Sequence, residues 1–401
     1  MPLGQRVRFD DVRKSFNGVE SGPYLDVAAR GLLFEGGRAA LMAHLDDAAR
    51  GTTDKAALFA SVEETRGLFA ALIRATPDEI TFTRNVTDGI AAFGAGLDWK
   101  VGDGVLLCEE LEHPANIYPW FGLARRFGLA IKTIAPVDGA LAADRIVEAI
   151  EPSTRVIAVS SVSFAPGFRF AVAQLGAECR RRGILLLVDA AQSIGVIETD
   201  VGAWQADAIA VSTQKGLLST YGLGMLYVRR EVAEALTPVY ISRFGVDVTG
   251  HEASRGDPAS FECAPGARRF DLGNYNYPAI LAVEQALRLL LDIGPAAIES
   301  RVLGLASSFA DRMLDLGLPV FGGRPGQHSS HIVTIGRDLG EDHDATGDPA
   351  LVSLYRHLVA GGVRLTIRRN LLRFSFHLYN DESDIMTVAE LVEQWRRSAR
   401  S

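Results

Sequence analysis

Residues 185–229 read LLLVDAAQSIGVIETDVGAWQADAIAVSTQKGLLSTYGLGMLYVR, and no other stretch narrows the fold so far. The opening run, Leu185–Val188, is apolar at every position, which a strand with one wet face would not be. It predicts a strand buried on both faces. The run stops at Asp189, where such a strand emerges at its carboxyl end. A second buried strand, Ala208–Val211, leads into Ser212-Thr213-Gln214-Lys215, and a third, Gly224–Val228, returns after a loop punctuated by Gly216 and Gly222.

A lysine at the mouth of one buried strand and an acid at the mouth of its neighbour do little for packing, but they suit chemistry. A lysine amine condenses with an aldehyde, and an acid holds a pyridine nitrogen protonated; pyridoxal phosphate needs both to act as an electron sink. Taken singly, Lys215 also fits a solvated loop lysine and Asp189 a helix N-cap. The order strand–Asp-x-x-Gln, strand–Ser-x-x-Lys, Gly-rich return strand favours the chemical reading.

Strands alternate with helical patterns through residues 80–228. Ile80–Thr83, Asp103–Cys108, Leu129–Ile134 and Arg155–Ser161 are the others, with helices at 36–49, 55–73, 141–150 and 173–182 before or between them. That alternation predicts a mostly parallel sheet covered on both faces. Ligands of such sheets sit outside the carboxyl ends of the strands, where Thr87, His113, Asp189 and Lys215 all fall. Arg84–Ile90 follows its strand as a polar turn into a helix N-terminus, a ready-made anion site. Simple capping by Thr87 or Asp88 is the plainer alternative there. There is no Walker lysine, so nothing points to a nucleoside triphosphate.

These segments resemble the class V aminotransferase family, of fold-type I, which includes cysteine desulfurases, isopenicillin N epimerase-like proteins, kynureninases and several C–S lyases. The match is carried by VDAAQSIG and VSTQKGLLSTYGLGMLYV. It implies pyridoxal 5'-phosphate as cofactor, with Lys215 forming the imine, Asp189 on the pyridinium nitrogen, Gln192 on the phenolic oxygen and Ser212 on the phosphate. Val86 and Thr87 would add backbone N–H groups to the phosphate, and Thr87 its hydroxyl. Gln214 stands where desulfurases usually carry His and donates without a charge. Residues 112–120, EHPANIYPW, are similar to the family's EHxxNxxPW. The likeness implies that His113 stacks on the pyridine ring and, as an imidazole titrating near neutrality, shuttles protons; Asn116 becomes a polar contact to cofactor or substrate.

Three weaker likenesses complete the set. Pro23–Gly31, on composition an edge strand or loop, resembles the opening YLDnAA, which lies across the active site and makes Arg30 a substrate contact rather than a surface arginine. Residues 268–276, after an irregular loop over Thr249–Ala267, resemble RFExGTxN. That segment reaches into the partner's phosphate site, with Asn274 in place of Thr, so a homodimer with shared active sites is implied. Leu372–Asn380 alternates as a strand should and resembles lRxSxxxYNteeDi, which makes Arg373 the bidentate fork for an α-carboxylate. Alone, Arg373 would equally be a surface strand residue. The expected architecture is a fold-type I transferase with a mostly parallel seven-stranded sheet. An arm over 1–30 packs on the active site and small domain, a large cofactor-binding domain spans 31–280, and a smaller α/β domain spans 281–401.

The 401 residues suit that division. A net charge of −8 argues against a nucleic-acid partner. Three cysteines without metal spacing, no apolar signal segment and no bilayer-length run point to a cytoplasmic protein without disulfides. His343, with acidic neighbours in the loop at 336–348, looks like a metal ligand and is set aside, so no metal is expected. Desulfurases attack sulfur with a cysteine just before the arginine, yet 361–373 reads GGVRLTIRRNLLR; Cys263 lies in the wrong place, and no other thiolate is at hand. The expected reaction is therefore elimination of a β-substituent, as in C–S lyases. Transamination is the runner-up and epimerisation a further branch; a desulfurase or a non-catalytic cofactor-binding module fits less well.

Overall fold

The computed structural model describes residues 9–247 and 261–398. Its first sheet has seven strands: β1 (Ile80–Thr83), β2 (Gly104–Leu107), β3 (Ala130–Thr133), β4 (Thr154–Ser160), β5 (Leu185–Asp189), β6 (Ala208–Ser212) and β7 (Gly224–Val228). Their order is β1-β7-β6-β5-β4-β2-β3. Strands β2 to β6 run parallel, and β7 is antiparallel to both β6 and β1.

The unalternating apolar runs follow from two cores. Leu186, Val188, Ile209, Val211 and Met225 point to one face of the sheet, while Leu187, Ala208, Ala210, Leu226 and Val228 point to the other. Successive side chains of a strand alternate between faces, so a strand walled on both sides has no polar position to offer. Each fully buried leucine contributes about 1.5–3 kcal/mol relative to exposure. Helices at Val86–Ala95 and Tyr118–Phe127 pack on one face, and Val172–Arg182 on the other.

A second, antiparallel sheet has the order β8-β10-β9, with β8 at Ile332–Ile335, β9 at Thr366–Arg368 and β10 at Leu371–Ser375. Two residues, Arg369 and Asn370, join β9 to β10 with φ of 47° and 68°. Paired left-handed residues make the tightest hairpin turn, and asparagine tolerates it best. The strand expected over Leu372–Asn380 stops at Ser375. Beyond it the His377 N–H donates to Asn380 Oδ1, and the Leu378 N–H to His377 Nδ1. These local side-chain bonds replace a ladder.

The segment at 23–31 extends this small sheet, because Tyr24 bridges Arg364 and Asp26 bridges Ser375. It then crosses to the large sheet, where the Gly31 N–H donates to the Gln214 carbonyl at 2.8 Å. A Cβ on Gly31 would lie 2.4 Å from the Lys215 carbonyl oxygen, so only glycine permits this approach. Most of the loop expected over Thr249–Ala267 lies outside the described residues. Among the described residues no helix is long and apolar enough to cross a membrane.

Candidate functional site

A cleft opens at the carboxyl ends of β4, β5 and β6. It is lined by Val86, Thr87, His113, Phe164, Asp189, Gln192, Ser212, Gln214 and Lys215, with Asn85, Ser160 and Ala191 between them. Most of the residues singled out from the sequence converge here, although they span 130 positions of chain.

The helix at Val86–Ala95 is capped by Asn85, whose Oδ1 accepts the Asp88 N–H at 2.9 Å. Neither Thr87 nor Asp88 is the cap. Asp88 turns back instead to pair with Arg84. The first N–H groups of the helix, at Val86 and Thr87, therefore stay outside its own hydrogen-bond ladder at the cleft wall, where they suit an anion.

Asp189 is buried, and its Oδ1 accepts the Ala191 N–H at 2.9 Å. Burial pushes its carboxyl above the usual range, against the pull of that N–H and of Lys215. Lys215 is half-buried, and among the described residues its amine has no hydrogen-bond or ion-pair partner. Desolvation, helped by the positive Arg373 and Arg368 and opposed by Asp189, lowers it to about 8.

His113 differs from expectation in one respect. Burial first, then Lys215, His343, Arg373 and Arg368, pull its pKa to about 4, so the ring is neutral at pH 7 rather than poised to titrate. Its Nδ1 accepts the Ala115 N–H at 3.1 Å, which leaves the proton on Nε2. Its ring meets Phe164 edge-on, with centroids 5.3 Å apart.

Asn116 does not face the cleft. Its Nδ2 donates to Glu112 at 2.7 Å, and its Oδ1 accepts the Trp120 indole N–H at 3.2 Å, so it braces the segment that carries His113. Glu112 also accepts the N–H and hydroxyl of Ser160. Burial lifts its carboxyl to about 7 despite these donors. The motif at 112–120 contains Glu112, but its role depends on Ser160, which comes from a neighbouring strand.

Arg373, on β10, is 2% exposed. Its Nη1 donates to the Phe164 carbonyl at 3.0 Å, its Nε to Thr366 at 3.3 Å, and Asp26 stands 3.7 Å away. Its Nη2 has no hydrogen-bond partner. Arg30 is exposed, and Asn274, at φ 45°, is exposed as well; neither lines the cleft in a single chain.

The residues present fit pyridoxal phosphate. Gln192 donates to the Ala28 carbonyl at 3.0 Å, yet its Oε1 is buried without a partner, as is Arg373 Nη2. Unsatisfied buried polar atoms are uncommon, and the one at the cleft wall, Gln192 Oε1, suits a polar ligand. The free amine at Lys215 and the N–H groups at Val86 and Thr87 match an aldehyde and a phosphate. Among the described residues no cluster of three or more His, Cys, Asp or Glu could hold a metal.

An amine near 8 has a measurable consequence. Roughly a tenth of it is unprotonated at pH 7, against about one part in three thousand for an ordinary lysine. Only the unprotonated amine attacks an aldehyde. Uptake of pyridoxal phosphate by the apoprotein, followed by absorbance, is expected to accelerate about tenfold from pH 6 to pH 7 and to level off above pH 8.

Comparison with known proteins agrees with this geometry. The profile of the aminotransferase class-V family matches residues 41–388. A probable cysteine desulfurase of Pyrococcus abyssi is 27% identical over 348 residues, covering 84% of each chain. An uncharacterised aminotransferase of Schizosaccharomyces pombe is 30% identical over 338 residues, covering 83% of this chain and 81% of the relative. Among solved structures, a cystine C–S lyase in complex with its product cysteine persulfide superposes with a TM-score of 0.83 at 23% identity, covering 94% of this chain and 99% of the other.

Proposed function

The chain belongs to the class V aminotransferase family of pyridoxal phosphate enzymes, and from that premise we propose that it is a cytoplasmic C–S lyase eliminating a β-substituent from an amino acid. The cofactor, when bound, supplies an electron sink for the pair left at the substrate's α-carbon. Lys215 is the base that takes the α-proton, since burial, helped by two neighbouring arginines, lowers its amine to about 8 and leaves roughly a tenth of it unprotonated at pH 7. Asp189 holds the proton on the pyridine nitrogen. Val86, Thr87, Ser212 and Gln214 would hold the phosphate, and the neutral His113 ring would contact the pyridine. Arg373 takes the α-carboxylate through Nη2, which makes no hydrogen bond and stands 3.7 Å from Asp26; with Nη1 held by the Phe164 carbonyl, the fork expected from the sequence is reduced to this one donor.

The reading rests on one observation: β9 and β10 are joined by only two residues. That turn leaves no loop on which a thiol could reach the cleft. Cys108 and Cys179 are buried, with thiols pushed up to about 11 and 12, and Cys263 does not line the cleft. With no thiolate to capture sulfur, the Cβ–S electron pair leaves with the sulfur. The Cα–H pair becomes the new Cα=Cβ bond, and water then releases keto acid and ammonia. The same proposal includes a homodimer, in which Asn274 would reach the partner's phosphate site, and the three units 1–30, 31–280 and 281–401.

Transamination is the second reading, supported by the fungal relative's description as an aminotransferase. Incubation with cysteine-type amino acids separates the two. Keto acid and ammonia accumulating in equal amounts over many turnovers upholds elimination. Keto acid formed once per active site, without ammonia, and continuing only when a second keto acid is added overturns it in favour of transamination.

A further inference from the structure

The loop at 336–348, unassigned above, folds onto the cleft. His343 stacks on Phe164 with ring centroids 5.4 Å apart and planes 18° apart, and it meets the His113 ring at 5.7 Å. Its place is fixed from behind. Its Nδ1 and Asp344 Oδ1 are 2.8 Å apart, and Asp344 pairs with Arg368 at 2.5 Å. The His343 carbonyl accepts the Arg369 N–H at 3.2 Å, so the loop is pinned to the hairpin that carries Arg373.

Phe164 connects the two ends of the site. Its carbonyl holds Arg373, and its ring carries His343. An amino acid whose carboxylate docked on Arg373 would have Phe164, and His343 stacked on its ring, within the space around its side chain. We propose that His343, held by Asp344 and Arg368 over Phe164, reads the substrate's side chain, and that this side chain carries a hydrogen-bond donor, either a thiol or a hydroxyl, because the Nδ1–H given to the Asp344 carboxylate leaves the other ring nitrogen as an acceptor. This rests on the amino-acid reading of the site given above. Asp344 and Arg368 are positioning residues: an anchored imidazole presents its other nitrogen at the cleft mouth, whereas a solvated loop histidine would not.

The test compares the holoenzyme with His343→Phe, which keeps a ring on Phe164 but removes the ring nitrogens. Dissociation constants for alanine, norvaline, homocysteine and homoserine are measured by calorimetry and by the absorbance change of the bound cofactor. The wild type is expected to bind homocysteine or homoserine about tenfold more tightly than norvaline, as one hydrogen bond from a desolvated donor provides. Whichever of the two is preferred identifies thiol or hydroxyl. In His343→Phe the preference is expected to fall to about twofold or less, with alanine affinity unchanged. Asp344→Asn is expected to reduce the preference and likewise spare alanine. A preference that survives His343→Phe, or an equal loss of alanine affinity, overturns the assignment. A wild type that binds alanine and norvaline but shows no preference refutes the assignment alone. A wild type that binds none of the four refutes the amino-acid reading, and the assignment with it.

Discussion

Lys215→Ala is expected to lower turnover on an amino-acid substrate by at least about a thousandfold, the scale set by losing a positioned base, and further because the covalent attachment is lost as well. The same change should leave the melting temperature unchanged or slightly raised. The Lys215 amine has no partner among the described residues, and desolvation has already lowered it to about 8, so the fold gains nothing from its charge. Steady-state kinetics and scanning calorimetry on one preparation check both halves. A comparable loss of activity and of stability would assign Lys215 to the scaffold rather than to the chemistry.

Asp271→Asn is expected to do the reverse, costing about 3 kcal/mol or more of stability. Arg66 is fully buried, donates to the Ile80 carbonyl and to Asp271 at 2.7 Å, and stacks its guanidinium on the Phe82 ring. Asp271 in turn accepts from Thr81 at 2.7 Å and from Tyr275 at 3.2 Å. Removing the carboxylate charge leaves a desolvated cation with only the half-exposed Glu63 at 3.4 Å to balance it, which costs more than the lost bonds alone. The double variant Arg66→Met/Asp271→Leu is expected to recover much of the loss, since apolar residues of similar size replace buried ion pairs well. Urea unfolding of the three proteins measures this. The pair also fixes the start of the segment at 271–276, so the single variant should weaken any dimer that Asn274 serves.

The large sheet and its mouth were legible because a strand buried on both faces announces itself. The runs ending at Asp189 and Ser212 cannot alternate, and the polar residues after them stand out. The small sheet was less legible: β10 looked longer because Phe374, Phe376 and Leu378 keep alternating, and only the bonds among His377, Leu378 and Asn380 reveal that the ladder has ended. Which of Asn85, Thr87 and Asp88 caps the helix depends on the extended backbone at Asn85, with φ −171° and ψ −179°. The residue types alone do not decide it.

The roles of the residues behind the cleft were not legible, although the motif at 112–120 contains both Glu112 and Asn116. Glu112 becomes important only because β4 brings Ser160 to it, and Asn116 is turned inward by the same carboxylate. His113 was expected to titrate near neutrality, but how far burial depresses an imidazole depends on what packs over it. Here that includes Phe164 and His343, the latter 230 residues away in the chain. Long-range packing of this kind leaves no periodic trace in sequence.

The account stands or falls on whether the cofactor is held on Lys215. Borohydride reduction of the protein saturated with pyridoxal phosphate, followed by peptide mass spectrometry, tests this directly. The account expects one reduced pyridoxyl group per chain, on the Nζ of Lys215 in the segment Ser212-Thr213-Gln214-Lys215, and none in Lys215→Ala. Labelling spread over surface lysines, or no labelling at Lys215, would contradict it.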